Sequence, residues 1–128
     1  MLDRDPDERI YEAFAAGAEE ALRKSLEIYQ SAGDRASCAR ALYDLGTVLR
    51  LQGNGAAAKE ALQECLRIRD AVGDKVGIAA ALEQLGLVAQ AGGNLEQAES
   101  YYSDSLALRK TARDRAGMAR VLHQLAEL

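Results

Sequence analysis

The chain has 128 residues, 16 of them basic and 20 acidic, with a net charge of -4 and a single histidine; it is long enough for one domain with a core of moderate size. The acidic balance lacks any basic block and so argues against nucleic acid as a partner; no apolar run approaches the roughly 20 residues of a membrane span. Met1-Leu2-Asp3-Arg4-Asp5 does not read as a signal peptide, which leaves the cytoplasm as the default compartment, and one proline, no tryptophan and few β-branched residues point to an all-α chain.

The first element opens with Asp5 as N-cap, Pro6 at the first helical position and Glu8 at the capping-box position. Ile10, Tyr11, Phe14, Ala18, Ala21, Leu22, Ser25, Leu26 and Tyr29 then keep helical spacing, which predicts one long helix over 6–32 with room for a bend at Gly17. Gly33 ends it and Asp34 caps the next helix, a corner repeated at Gly73-Asp74; at Arg113-Asp114 the cap remains and the glycine is lost. Further helices are predicted at 35–51, 55–72, 75–91, 95–112 and 115–127. Between 82 and 112, Leu82, Leu85, Gly86 and Ala89 form one apolar stripe, and Ala98, Tyr101, Tyr102, Ser105 and Leu106 form another. Asn94 caps the second, with Gln97 in the capping-box position. The small residues Gly86, Ala98 and Ser105 allow the two helices to close into an antiparallel hairpin. Arg67, Arg69, Arg109 and Lys110 sit in last turns, where cations complement the helix dipole, and read as no more than that.

One hairpin cannot bury both its faces, and a shift of the sequence by 40 supplies its neighbours. Residues 33–72 laid over 73–112 are identical at 13 of 40 positions without a gap, including Gly33, Asp34, Ala39, Leu42, Leu45, Gly46, Gly53, Asn54, Ala58, Leu66 and Arg69. A third copy starts at Asp114 and covers one helix, through Ala119, Leu122 and Leu125; residues 15–32 match a second helix through Ala18, Leu22, Ser25 and Leu26. Leu42, Leu45, Gly46, Gly53, Ala58, Leu62 and Cys65, with their counterparts Leu82, Leu85, Gly86, Gly93, Ala98, Tyr102 and Ser105, resemble the large and small signature of a tetratricopeptide repeat. The unit is longer than the usual 34 residues and resembles the long-repeat variety of kinesin-light-chain-like adaptors and bacterial signalling proteins. The resemblance implies a right-handed α-α superhelix of antiparallel hairpins. The expected organisation is a single domain, 1–128, made of a long N-terminal helix (6–32), repeats at 33–72 and 73–112, and a half repeat at 113–128.

Function then depends on the face that the stripes leave over. In the first helix of each pair these residues are Arg40, Tyr43, Asp44, Thr47 and Arg50, then Ala80, Glu83, Gln84, Leu87 and Gln90, then Arg120, His123, Gln124 and Glu127. The resemblance implies that this ladder lines a concave groove for a peptide or partner helix; the plainer reading is a solvated helix face. Tyr43 and Leu87 stand among charges without being needed in the core, and the forks of Arg40, Arg50 and Arg120 suit carboxylates. A clamp for the C-terminal carboxylate of a chaperone peptide would need paired lysines and asparagines, where this chain has Tyr43, Asp44 and Thr47. Cys38 and Cys65 fill an apolar and a small position of the repeat and read as reduced packing residues. His123 falls on the groove face, away from either cysteine, so no Cys-His pair is expected. The acidic pairs Glu19-Glu20 and Glu96 with Glu99 are ordinary helix surface, and the glycine-rich corners lack the strand and lysine of a phosphate loop. No enzyme, cofactor or metal site is expected.

Two function classes follow: a module that binds a partner protein or peptide, and a structural or sensor segment of a larger signalling or transcription-regulatory protein that mainly self-associates. The second is implied by the resemblance of such long-repeat arrays to the C-terminal parts of bacterial nucleotide-switch regulators, and the self-association expected with it draws on the ends of the array. The last helix carries Met118, Val121 and Leu128 beside an inward set of Ala119, Leu122 and Leu125, while Ile10, Tyr11 and Phe14 extend beyond the repeat frame at the other end. Either the chain is a piece of a longer array or these patches meet partners; the initial methionine and the Asp5-Pro6 cap favour self-association, most simply a two-fold dimer.

Overall fold

The computed structural model describes residues 6–128, with side chains from Glu12 onward. Six helices account for the described residues: α1 (Pro6–Ala32), α2 (Arg35–Leu51), α3 (Gly55–Val72), α4 (Lys75–Ala91), α5 (Leu95–Thr111) and α6 (Arg115–Ala126). Among the described residues there is no strand. Every helix boundary falls within a residue of its sequence expectation because the corners are chemically marked. Asp34, Asn54, Asp74, Asn94 and Asp114 each accept a backbone N–H three residues on, with Asp74 Oδ1 at 2.9 Å from the Gly77 nitrogen. Gly33, Gly53, Gly73 and Gly93 adopt positive φ of 69–80°, and at the corner without glycine Arg113 takes the same left-handed conformation, φ 56°. The Asn94 box differs from its expectation: Gln97 Oε1 accepts from the Asn94 side chain, while the Asn94 backbone N–H donates to Ala89. The expected cap at Asp5 lies outside the described residues, as do the side chains of Glu8, Ile10 and Tyr11.

Each helix packs on its successor, most extensively within the α2–α3 and α4–α5 hairpins. The hairpins close because a glycine on one helix faces a large side chain on the other. A Cβ on Gly46 would lie 2.8 Å from Leu62 Cδ2, and one on Gly86 would lie 2.7 Å from Tyr102 Cδ1. Leu62 and Tyr102 are fully buried, as are Ala58 and Ala98 beside them. Ser105, also buried, donates from Oγ to the Ala79 carbonyl at 2.8 Å and thereby satisfies its hydroxyl. Leu42, Leu45 and Leu49 of α2 join Ala58, Ala61 and Cys65 of α3 and Ala81 of α4 in one cluster; burial of each leucine contributes about 1.5–3 kcal/mol. Both cysteines are free and buried, and α1 runs unbroken through Gly17.

The last helix corrects the sequence reading. Val121, expected on an outer face for self-association, is 0 % exposed and packs with Ala89, Ala98 and Tyr102 of the preceding hairpin. Ala119 and Leu122, expected to point inward, are exposed, Leu122 by 50 %. The cause is a choice between two apolar faces. Position 121 aligns with the buried Ala41 and Ala81, the latter packed on the cluster of α2 and α3, whereas 119 and 122 align with Ala39, Ala79, Leu42 and Leu82, all buried on first helices that a second helix follows. Among the described residues α6 has no such second helix. Met118 is half-buried, and Leu128 and Phe14 are exposed.

Candidate functional site

The first helices of the pairs, α2, α4 and α6, adjoin through side chains of the polar ladder. Arg50 Nε donates to Gln84 Oε1 at 3.0 Å, and Gln84 Nε2 donates to the Tyr43 hydroxyl at 3.4 Å, linking α2 to α4. The Tyr43 ring lies under the Arg69 guanidinium of α3, 4.8 Å from its centroid, an arrangement that favours a cation over the ring face. Thr47 Oγ1 is turned onto the Tyr43 carbonyl at 3.0 Å, and Gln90 accepts from the Tyr102 hydroxyl at 2.8 Å. Leu87 is half-buried against the second cluster. Arg40 and Asp44 form an exposed pair one helical turn apart, 3.3 Å, of the kind worth only tenths of a kcal/mol.

Glu83 is the ladder residue the sequence reading misplaced. It is 5 % exposed and unavailable as part of a wet binding face. Its carboxylate accepts from Arg109 Nη2 at 2.9 Å and from Arg120 Nε at 2.7 Å, tying α4 to α5 and α6. Arg109, read from the sequence as a surface cation on the helix dipole, is 3 % exposed and also donates from Nη1 to Asp114 at 2.6 Å. The Arg120 guanidinium is held above its ordinary pKa chiefly by its hydrogen bond to Glu83. The Asp114 carboxyl is held below its own by the Gly117 N–H and then by Arg109.

The signal for this cluster was in the repeat. Arg69 and Arg109 occupy one repeat position, and the residues that meet them, Tyr43 and Glu83, occupy another. Arg69 donates to the Gly77 carbonyl at 2.8 Å, and both Gly77 and Gly117 leave room for an arginine: a Cβ would lie 2.9 Å from Arg69 Cδ or 2.6 Å from Arg109 Cδ. At the first corner the corresponding residues are Tyr29 and Ser37.

The rest of the ladder lies toward α6. His123 is exposed and sits 3.1 Å from Glu127. The Gln124 side-chain oxygen is buried with no hydrogen-bond partner among the described residues. Burial pushes the Cys65 thiol up to about 11, so it stays protonated at neutral pH and is a poor nucleophile. Among the described residues no three His, Cys, Asp or Glu side chains are grouped to hold a metal ion, and no helix is long and apolar enough to cross a membrane.

No curated protein matches the chain. A family model described as tetratricopeptide repeat matches residues 14–71, which span most of α1, all of α2 and nearly all of α3. Proteins of this family generally act as protein-interaction modules and are typically non-catalytic. The match takes in the α2–α3 hairpin with its Gly46–Leu62 crossing, and the α4–α5 hairpin beyond the matched residues closes through the equivalent Gly86–Tyr102 crossing.

Proposed function

We propose that the chain is a single-domain, cytoplasmic, non-catalytic protein-interaction module of the long-repeat variety, in which the face of α2, α4 and α6 holds an extended peptide or helix of a partner protein. The observation that carries this reading is the Arg50–Gln84–Tyr43 chain of hydrogen bonds, which holds a guanidinium on that face and, among the described residues, engages it with a neutral amide. A peptide carboxylate could take a bidentate bond from Arg50 in exchange for a weaker one. Arg40, Asp44, Thr47, Leu87, Gln90, His123 and Gln124 would border the ligand; Arg120 would contribute only its outer edge, and Glu83 nothing. The buried, free thiols of Cys38 and Cys65 suit a reducing compartment.

Selection of a random peptide library against the wild-type chain tests the proposal. Peptides with an acidic side chain or free C-terminus should be enriched, and Arg50→Ala should weaken them by about 10- to 100-fold, the range for hydrogen bonds to charged groups. Enriched peptides that bind Arg50→Ala as tightly as wild type would refute it. A second reading, self-association, is favoured by a separate observation: Phe14 and Ile28 of α1 and Leu122 of α6 are 76 %, 66 % and 50 % exposed. A two-fold dimer through Val121, however, would require unpacking α6 from α5.

A further inference from the structure

The two uncovered helices are complementary halves of the same repeat. α6 occupies the place of α2 and α4, first helices whose apolar faces are covered by α3 and α5. α1 occupies the place of α3 and α5. Ala79, whose carbonyl takes the Ser105 hydroxyl of α5, and Leu82 are buried, while their counterparts Ala119 and Leu122 lie open on α6. Ala58, Leu62 and Cys65 are fully buried between two first helices, while Ala18, Leu22 and Ser25 have only α2 against them and remain half-exposed.

Building on the self-association reading, the geometry points to a second copy of this chain as the occupant, docked head to tail, with its α1 laid on α6 as α3 lies on α2 and α5 on α4. Two contacts of the internal hairpins carry over. Ile68 lines one hollow with Cys38 and Leu42, and the corresponding pair across the new interface is Ile28 with Leu122, each largely exposed in the single chain. Ser105 donates to the Ala79 carbonyl, and Ser25 would stand opposite the Ala119 carbonyl in the same way. The glycine crossing does not carry over unchanged: Leu22 would face Ala126 where Leu62 faces Gly46, so the two helices would sit farther apart there than in the internal hairpins. Net charge agrees in sign: α6 has no acid of its own and carries Arg115 besides Arg120, which Glu83 holds, while α1 from Glu12 onward carries four glutamates, of which Glu19 and Glu20 pair with Arg23 and Lys24.

A two-fold arrangement has no such template, since first helices touch one another only narrowly within the chain. A head-to-tail interface joins unlike surfaces, so each added copy presents a fresh α6, and assembly continues or closes into a ring.

Sedimentation velocity on the wild-type chain and on Leu122→Glu and Ile28→Glu, separately and mixed, tests this, with circular dichroism confirming that each is folded. Should Leu122→Glu not fold, Ala119→Arg on the same open face replaces it. Between about 10 μM and 1 mM, the range in which weak complexes form, wild type should grow beyond twice the 13.8 kDa of one chain. Each variant alone should remain monomeric. Their mixture should yield one heterodimer and nothing larger, because it holds one intact pair of faces. A monomeric wild type overturns both this inference and the self-association reading. A wild-type dimer that stops growing, is lost in either variant and does not return on mixing overturns the head-to-tail geometry alone.

Discussion

Truncating Glu83 should be among the most damaging single changes on the ladder face, although the sequence places it in a row of solvated polar residues. Glu83 is the carboxylate shared by a buried and an exposed arginine, Arg109 being 3 % and Arg120 55 % exposed at the side chain. In Glu83→Ala the Arg120 guanidinium returns to water at little cost. Arg109 cannot do so, and its Nε already has no partner among the described residues. Removing one partner of a buried pair typically costs about 3–5 kcal/mol. Asp114 still holds Nη1 at 2.6 Å, which puts the expected loss near the lower end, about 3 kcal/mol. For a chain of this size that lowers Tm by about 12 °C.

Arg120→Ala should cost about 1 kcal/mol or less, because most of that side chain is solvated. Asp114→Ala should fall between, at about 2 kcal/mol, since it removes the α6 cap together with a partner of Arg109. The order Glu83, Asp114, Arg120 is therefore the outcome to look for in urea unfolding followed by circular dichroism. The double variant Glu83→Leu/Arg109→Met should recover much of the loss, as apolar replacement of a whole buried ion pair is often neutral or stabilising. A Glu83→Ala variant no less stable than Arg120→Ala would show that Arg109 is effectively solvated and the reasoning wrong.

Gly86→Ala should destabilise by about 1–3 kcal/mol despite alanine's better helix propensity, because the new methyl meets the buried Tyr102 ring; a higher Tm would remove the basis for the hairpin crossing. Arg113→Gly should raise stability by about 0.5–1 kcal/mol in the same urea assay, since arginine there holds a left-handed φ that glycine adopts freely; a loss would mean the side chain contributes more than the strain. In alkali, Cys65 rises from 9.0 to about 11 and Tyr102 from 10.0 to about 12 on folding, so the native state holds these protons more tightly than the unfolded chain. Their contribution is complete below pH 9 and is lost as pH rises through the folded values; the urea midpoint should fall from about pH 9 upward, and Cys65→Ser should remove the component between 9 and 11.

The sequence made the helices, corners and hairpin crossings legible because each has a local chemical mark: a capping Asp or Asn, a glycine of positive φ, a glycine opposite Leu62 or Tyr102. What it concealed depends on relations between repeats. A helix in the middle of such an array has two buried faces, and the apolar pattern of α6 reads the same whether its second face is covered or not. Thus Val121 and Leu122, adjacent in sequence, exchanged roles between expectation and structure.

Polar residues were harder still, because helical periodicity assigns a charged side chain to water unless a partner is identified, and the partner of Glu83 lies 26 residues away on the next helix. The repeat contains the means to find it. Where Arg69 recurs as Arg109, the residue opposite changes from Tyr43 to Glu83, and each answers the guanidinium in its own way, by a ring face or by a carboxylate. The glycines at 77 and 117 clear the space for both arginines, and Ser37 stands where the corner residue is Tyr29. A repeat protein thus compares its own copies: positions that stay constant mark the hairpin, and pairs that change together mark contacts between helices. By that criterion the ladder divides into a buried strut at Glu83 and a more open segment around Arg50, and it is the second on which the proposed peptide site rests.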